Sequence, residues 1–180
     1  TNRIHYIGEF KEDKLDGKGV IEFLKEGHKY EGEFKDNEIN GKGIFKWKNG
    51  DVYQGEMSNG KMNGHGTYTY NDGQIYDGEY INGLRDGKGR IIFSNQIIYE
   101  GEYVDDKMEG DGLMYFDDRE LYYKGQFKDN KFNGEGQLYL SKEDYKVFDG
   151  NFVDDKMQGE GIIFYRDGTV KIITFEEGKE

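Results

Sequence analysis

The sequence has no cysteine and no proline. The first absence removes disulfides, thiolate metal sites and thiol nucleophiles, and it fits a reducing compartment. The second leaves strand pairing uninterrupted, because proline lacks the amide donor that a ladder needs. Long apolar runs are missing too, so no segment reads as a bilayer span, a secretory leader or a lipid anchor. His5, His28 and His65 lack the spacing of a metal-ligand set. Ser58, Ser94 and Ser141 have no histidine and acid at a recognisable catalytic interval. Gly55 to Lys61 spells a phosphate loop up to its lysine, but Met62 stands where a magnesium-holding hydroxyl is needed. The expectation is a protein without enzymatic activity, metal or cofactor.

Aliphatic content is low as well: 34% of residues are hydrophobic and 34% charged, a balance typical of disorder. An aromatic content of 16% contradicts disorder, since disordered chains are poor in rings. The chain therefore folds, but around something other than a thick aliphatic core. Its net charge of −12 is uneven: residues 1–90 carry 14 Lys/Arg against 16 Asp/Glu, and residues 91–180 carry 11 against 21. Such a surface repels phosphates, so nucleic acid is not an expected partner.

The sequence repeats itself. Tyr6, Tyr30, Tyr53, Tyr76, Tyr99, Tyr123 and Phe148 each open an aromatic-x-Gly-x-apolar segment, and a Gly-x-Gly begins eleven residues later every time, from Gly17 and Gly19 to Gly159 and Gly161. The interval to the next aromatic varies, so one connection is a fixed turn and the other is not. Both segments alternate with period 2 and are separated by turn residues, Lys35-Asp36-Asn37 inside a unit and Lys48-Asn49-Gly50 between units, which predicts two antiparallel strands per repeat. The expected fold is all-β: a single-layer antiparallel sheet of tandem hairpins forming an elongated, twisted, open ribbon. Fourteen strands at ~4.8 Å each would span roughly 65–70 Å. Repeats start near 6, 30, 53, 76, 99, 123 and 148 in a single array over residues 1–180, with a degenerate capping half-repeat at 169–180. The chain opens at Thr1 in mid-repeat, as expected of a segment of a longer protein, and Thr1–Tyr6 is too short to cap that end.

Alternation sorts each repeat by face. One face takes the leading aromatic, its glycine, the apolar fifth residue and two columns downstream: Ile21, Phe45, Tyr68, Ile91, Met114, Leu138, Ile163, and Phe23, Trp47, Tyr70, Phe93, Phe116, Leu140, Tyr165. Glycines spaced this way suit a flat seat for a neighbouring ring better than positive-φ bulges. The opposite face carries Glu9, Glu33, Glu56, Glu79, Glu102, Gln126 and Asn151 in one column and Lys18, Lys42, His65, Lys88, Asp111, Glu135 and Glu160 in another. The drift reads as charge compensation between neighbours, with Glu102 beside Asp111 as its exception.

Tyr30-Glu31-Gly32-Glu33-Phe34 followed by Gly41-Lys42-Gly43 resembles the signature of the MORN repeat family throughout, and the resemblance covers residues 6 to 165. Phe148, Gln126 and Asn151 depart from it in the last two units. It implies a scaffold with protein partners, intracellular and cytoplasmic, in cytoskeletal, ciliary (radial spoke-like) or membrane-associated assemblies. It also implies, as an alternative, weak phosphoinositide or phospholipid binding, for which Lys11, Lys14, Lys18, Lys35, Lys42 and Lys88 are the candidate basic zone, or a regulatory segment of a larger protein.

A single layer has nothing to cover its apolar face. Tyr30, Phe34, Phe45, Trp47, Tyr53, Tyr68, Tyr70, Tyr76, Tyr80, Phe93, Tyr99, Tyr103 and Phe116 are therefore expected to floor a surface on which an amphipathic helix lies. On the nominally polar face Leu113, Tyr115, Tyr139, Ile162 and Phe164 replace residues such as Glu22, Lys46, Thr67 and Thr69, which predicts a second interface or a homo-oligomer contact in the C-terminal repeats.

Overall fold

The computed structural model describes residues 3–116, 120–141 and 146–179; Thr1, where the opening half-repeat begins, and Glu180, where the closing one ends, lie outside them. All regular structure among the described residues is β. Two compact units divide it, Thr1–Ser94 and Asn95–Glu180. The first holds β1 (Ile4–Lys11), β2 (Lys14–Phe23), β3 (His28–Lys35), β4 (Glu38–Lys46), β5 (Val52–Ser58), β6 (Lys61–Thr69), β7 (Ile75–Ile81) and β8 (Leu84–Ile92). The second holds β9 (Ile98–Val104), β10 (Lys107–Tyr115), β11 (Leu121–Lys128), β12 (Lys131–Ser141), β13 (Lys146–Val153), β14 (Lys156–Phe164) and β15 (Val170–Phe175). Within each unit every strand pairs antiparallel with its sequence neighbours, so each is one sheet in chain order.

The fixed connection is a two-residue turn with both φ positive, as at Asp36 (48°) and Asn37 (73°) or Asp154 (48°) and Asp155 (68°). That geometry matches the twist of the flanking strands. Asp and Asn supply it because their short polar side chains tolerate the left-handed region. The Asp36-Asn37 turn also ties to the preceding hairpin: the Asn37 amide donates to the Leu15 carbonyl at 3.0 Å, and the Asn37 Oδ1 accepts from the Leu15 amide at 2.9 Å.

The two glycines of Gly-x-Gly do different jobs, which corrects the expectation that both seat a ring. In the β3–β4 hairpin the register slips between Gly32 and Phe34, so Asn40, Gly41 and Lys42 stand against the single residue Glu33. Gly41, at φ 92°, is the bulge residue that makes this possible. The Glu33 carboxylate accepts the Lys42 amide at 2.9 Å; Glu79 does the same for Lys88 at 2.9 Å and Gln126 for Glu135 at 3.1 Å. The fourth position thus needs an acceptor oxygen more than a charge, and Gln126 keeps it.

The second glycine is the seat. It pairs directly with the glycine of the aromatic segment, as Gly43 does with Gly32 and Gly66 with Gly55. The ring of Tyr30 or Tyr53 lies across both. A Cβ built on Gly66 would come 2.5 Å from Cζ of Tyr53, and one on Gly55 would come 2.5 Å from its hydroxyl. Lying flat, each tyrosine reaches the backbone carbonyl three residues ahead: Tyr30 to Glu33 at 3.2 Å, Tyr53 to Glu56 at 2.7 Å, Tyr99 to Glu102 at 2.9 Å. Burial pushes the Tyr30 and Tyr53 hydroxyls up to about 12, so they remain neutral donors.

Ring edges then link the repeats. Tyr99 meets Tyr103 of its own repeat at 5.4 Å and Phe127 of the next at 4.9 Å, both edge-on; Tyr123 repeats this with Phe127 and Phe152, each at 5.2 Å. The series ends on Phe175 in β15, which sits 5.2 Å from Phe148 and is buried. β15 thus covers an edge of the last leading ring, while its own Val170 and Ile172 stay exposed. At the other end, Phe10 is 63% exposed.

Gly66→Ala must displace a ring and is expected to cost ~3 kcal/mol. Gly60→Ala, in a turn at φ 73° with nothing within 4 Å of its Cβ, is expected to cost only about 1–2 kcal/mol. Urea titrations of the two variants check the order, which the reverse ranking would refute. Phe148→Tyr restores the hydroxyl that this repeat lacks and is expected to gain about 1 kcal/mol; a lowered melting temperature would mean that the Asn151 carbonyl is out of its reach.

Candidate partner-binding surfaces

Thirteen rings were expected to face a partner, and the fold divides them. Tyr30, Tyr53, Tyr76 and Tyr99 are fully buried, and Phe34, Tyr80 and Tyr103 are 2–3% exposed. These seven are the core, not a floor. The leading ring lies on its glycine pair, and fifth-position rings close over its edges, Phe34 on Tyr30 and Tyr80 on both Tyr53 and Tyr76; Arg85 adds its guanidinium 5.5 Å over Tyr76. Self-packing therefore consumes the two columns nearest the bulge.

The remaining six lie toward the loop ends of the strands and stay half-buried, apart from Phe116, which is 36% exposed. Four form a continuous row in the first unit. Ring centroids run from Phe45 to Trp47 at 4.5 Å, Trp47 to Tyr68 at 5.2 Å and Tyr68 to Tyr70 at 4.4 Å, tilted by 34–45°. Phe23 extends the row, stacking 6.3 Å from Phe45. A shallow cavity of about 470 Å³ lined by Glu26, His28, Trp47, Lys48 and Asn49 opens beside it. Phe93 is half-buried at the corresponding place in the fourth repeat.

Asp51 fixes this row, a role that sequence reading missed. Its carboxylate accepts from the Asn71 amide at 2.8 Å, the Tyr68 hydroxyl at 2.9 Å and the Asn49 side chain at 2.8 Å. Burial raises this carboxyl, but the bonds from Asn49, Asn71 and Tyr68 outweigh that and hold it below the ordinary carboxylate range. The loops that carry Trp47 and Tyr70 are thereby tied together. Only the pairing of an acid with a turn asparagine one repeat on could have signalled it.

On the second face the strand register makes the charge compensation exact in pairing. Lys18 stands opposite Glu33, Lys42 opposite Glu56 and His65 opposite Glu79. Where the column turns acidic its partners turn neutral: Asp111 faces Gln126, Glu135 faces Asn151 and Glu160 faces Thr174. Glu102 stays the exception, but against a different acid: the register pairs it with Glu109, and Asp111 is one of the extra residues of the bulge. In the first unit this face holds a broad trough of about 740 Å³ floored by glycine backbone, with Ile7, Val20 and Ile44 among charges of both signs.

The candidate basic zone is partly engaged: Lys14 pairs with Asp36 at 2.9 Å, Lys35 with Asp16 at 2.8 Å, and Lys42 approaches Glu56 at 4.0 Å. The histidines stand apart, His5 near Glu22 at 3.8 Å, His65 near Asp77 at 3.3 Å, and His28 accepting the Lys48 amide at 3.2 Å. Of the second predicted interface, Leu113, Tyr115 and Tyr139 are half-buried, while Ile162 and Phe164 are 39% and 38% exposed.

Comparison with known proteins agrees with this geometry. No curated protein sequence matches the chain. Among solved structures it is similar to the TCP domain of SAS-4 (dCPAP) from Drosophila melanogaster, determined in complex with a proline-rich motif of Ana2 (dSTIL). The two share 13% identity and a TM-score of 0.56, over 96% of this chain and 90% of that one. The MORN repeat model matches seven times, at residues 6–23, 30–52, 53–75, 76–97, 99–119, 123–145 and 148–170. With a ring on a glycine pair recurring in each of those segments, the chain belongs to the MORN repeat family.

Proposed function

We propose that this chain is a non-catalytic protein-interaction scaffold, and that a partner segment lies along the half-open row Phe45, Trp47, Tyr68 and Tyr70. The single observation behind this reading is that these rings remain at the surface after the core has taken the others. Rings fixed in place lose little entropy on contact, and aromatic anchors dominate interfaces. The Asp51 bonds supply that fixation. The occupant is an amphipathic helix, whose apolar stripe matches a row running across strands. Its setting is a cytoskeletal, ciliary or membrane-associated assembly in the cytoplasm, as for the family.

A second reading has its own support. Proline-rich segments dock on aromatic-lined surfaces, and the similar TCP domain is held in complex with such a motif. Lipid binding fits less well, since Lys14 and Lys35 are paired and the chain carries a net charge of −12.

Trp47 is the chain's single tryptophan, so its emission reports on the row directly. The partner segment recovered by pull-down from native extract should blue-shift that emission when titrated as a synthetic peptide. Trp47→Ala with Tyr70→Ala should weaken capture at least tenfold at unchanged far-UV circular dichroism. Capture that is indifferent to both substitutions would exclude the row, and the recovered sequence decides between helix and proline-rich segment.

A further inference from the structure

The second face of the C-terminal unit differs from that of the N-terminal unit in two columns at once. The column nearest the variable loops in the first unit reads, strand by strand in register, His5, Glu22, Lys29, Lys46, Val52, Thr69, Ile75 and Ile92. In the second unit every residue at that level is apolar or aromatic. Ile98 pairs with Tyr115, Tyr115 with Leu121, Tyr139 with Val147, Val147 with Phe164, and Phe164 with Val170. Beside it Ile162 pairs with Ile172. Exposure is greatest over β14 and β15, at 38% for Phe164, 61% for Val170, 39% for Ile162 and 66% for Ile172.

Four residues along the strands from this ladder runs a parallel rail. In the first unit the rail mixes signs, Lys18 and Lys42 opposing Glu33 and Glu56, with His65 opposite Glu79. In the second it is Glu102, Asp111, Gln126, Glu135, Asn151, Glu160 and Thr174, with four exposed acids and no base. Residues 95–180 as a whole carry 21 Asp/Glu against 11 Lys/Arg.

We infer that this face of the C-terminal unit is a docking site for a basic amphipathic helix of a partner protein. The ladder and the rail are about 13 Å apart, four residues at roughly 3.3 Å each. A helix is about 10–12 Å across with its side chains. One laid across the strands therefore puts its apolar stripe on Phe164, Ile162 and Ile172 and its lysines or arginines over Asp111, Glu135 and Glu160. Charge selects this occupant. A second copy of the unit brings another acidic rail and an anionic bilayer brings phosphates, and both are repelled. The site is separate in residues and in charge from the aromatic row proposed above and does not depend on it.

The probe is an 18-residue fluorescent peptide of leucine and lysine patterned as an amphipathic helix, measured by anisotropy on the full chain. A control peptide carries glutamate for every lysine. The lysine peptide should bind, and binding should weaken as salt rises from 50 to 500 mM. Affinity should fall at least tenfold in Ile162→Ser/Phe164→Ser/Ile172→Ser. It should fall at least tenfold in Glu135→Lys/Glu160→Lys, which leaves the apolar ladder intact and guards against a misfolded first variant. In a Trp47→Ala/Tyr70→Ala background, the loss caused by Glu135→Lys/Glu160→Lys should persist. The inference is overturned if the glutamate peptide binds equally, if the rail reversal has no effect, or if Trp47→Ala/Tyr70→Ala abolishes binding. It is likewise overturned if sedimentation shows a dimer that the triple variant dissolves, or if phosphatidylserine vesicles bind in place of the peptide.

Discussion

A tyrosine ring lying flat on two glycines of adjacent strands is the interaction on which the rest of this structure depends. A single sheet leaves a standing ring half wet. Removing both Cβ atoms lets the ring drop onto the backbone, so that one of its faces is covered by the sheet and its hydroxyl reaches a carbonyl of its own strand, as Tyr53 does with Glu56. The ring's edges remain, and fifth-position rings from two successive repeats cover them. Each repeat thus completes the core of its neighbour, and stability is a sum of nearest-neighbour contacts. Phe175 continues the series in β15, covering an edge of Phe148.

The bulge is the companion of that seat. Placing a glycine opposite a glycine requires the two strands to be in step there, while the tight turn sets a different register at the hairpin's end. The slip between them leaves extra residues on one strand, and Gly41 at φ 92° takes up the distortion. The amide freed at Lys42 then needs an acceptor, which the Glu33 side chain provides. A glutamate that looks like half of an ion pair is first a backbone cap. Its charge is matched separately, by whichever residue the next hairpin sets against it.

Spacing and parity made much of this legible. The constant interval from Tyr6 to Gly17 and its six successors announced a fixed turn, and alternation put the leading aromatics and the fifth-position residues on one face, where the core lies. Burial was not legible, because parity assigns a face and not a depth. Phe34 and Trp47 lie on the same face and both are aromatic, yet Phe34 sits beside the bulge, where rings of two repeats converge, and Trp47 sits at the loop end, where they do not. The register of Asp111 was equally hidden: it is an extra residue between the Glu109–Glu102 and Gly112–Gly101 pairs, and its partner is Gln126 of the next strand. Asp51 escaped notice since two of its three donors, Tyr68 in β6 and Asn71 just after it, lie 17 and 20 residues away in sequence.

These depths have a consequence for recognition. A core that uses the same positions in every repeat fixes those positions and leaves others unconstrained: the loop-end rings on one face and both outer columns on the second. Those are the places where the repeats of this chain differ. Trp47 and Tyr70 become Leu140 and Tyr165 at the loop end; Glu22 and Lys46 become Tyr139 and Phe164 on the second face; Lys18 and Lys42 become Glu135 and Glu160 on the rail. None of these changes touches a ring seat or a turn, and at the bulge only the side chain after the positive-φ glycine changes, so they cost the fold little. A repeat built on a glycine-seated ring can therefore hold its architecture constant while each stretch of the array acquires its own surface chemistry, and the contrast between a mixed-charge second face and an apolar, acid-flanked one is what that freedom produces.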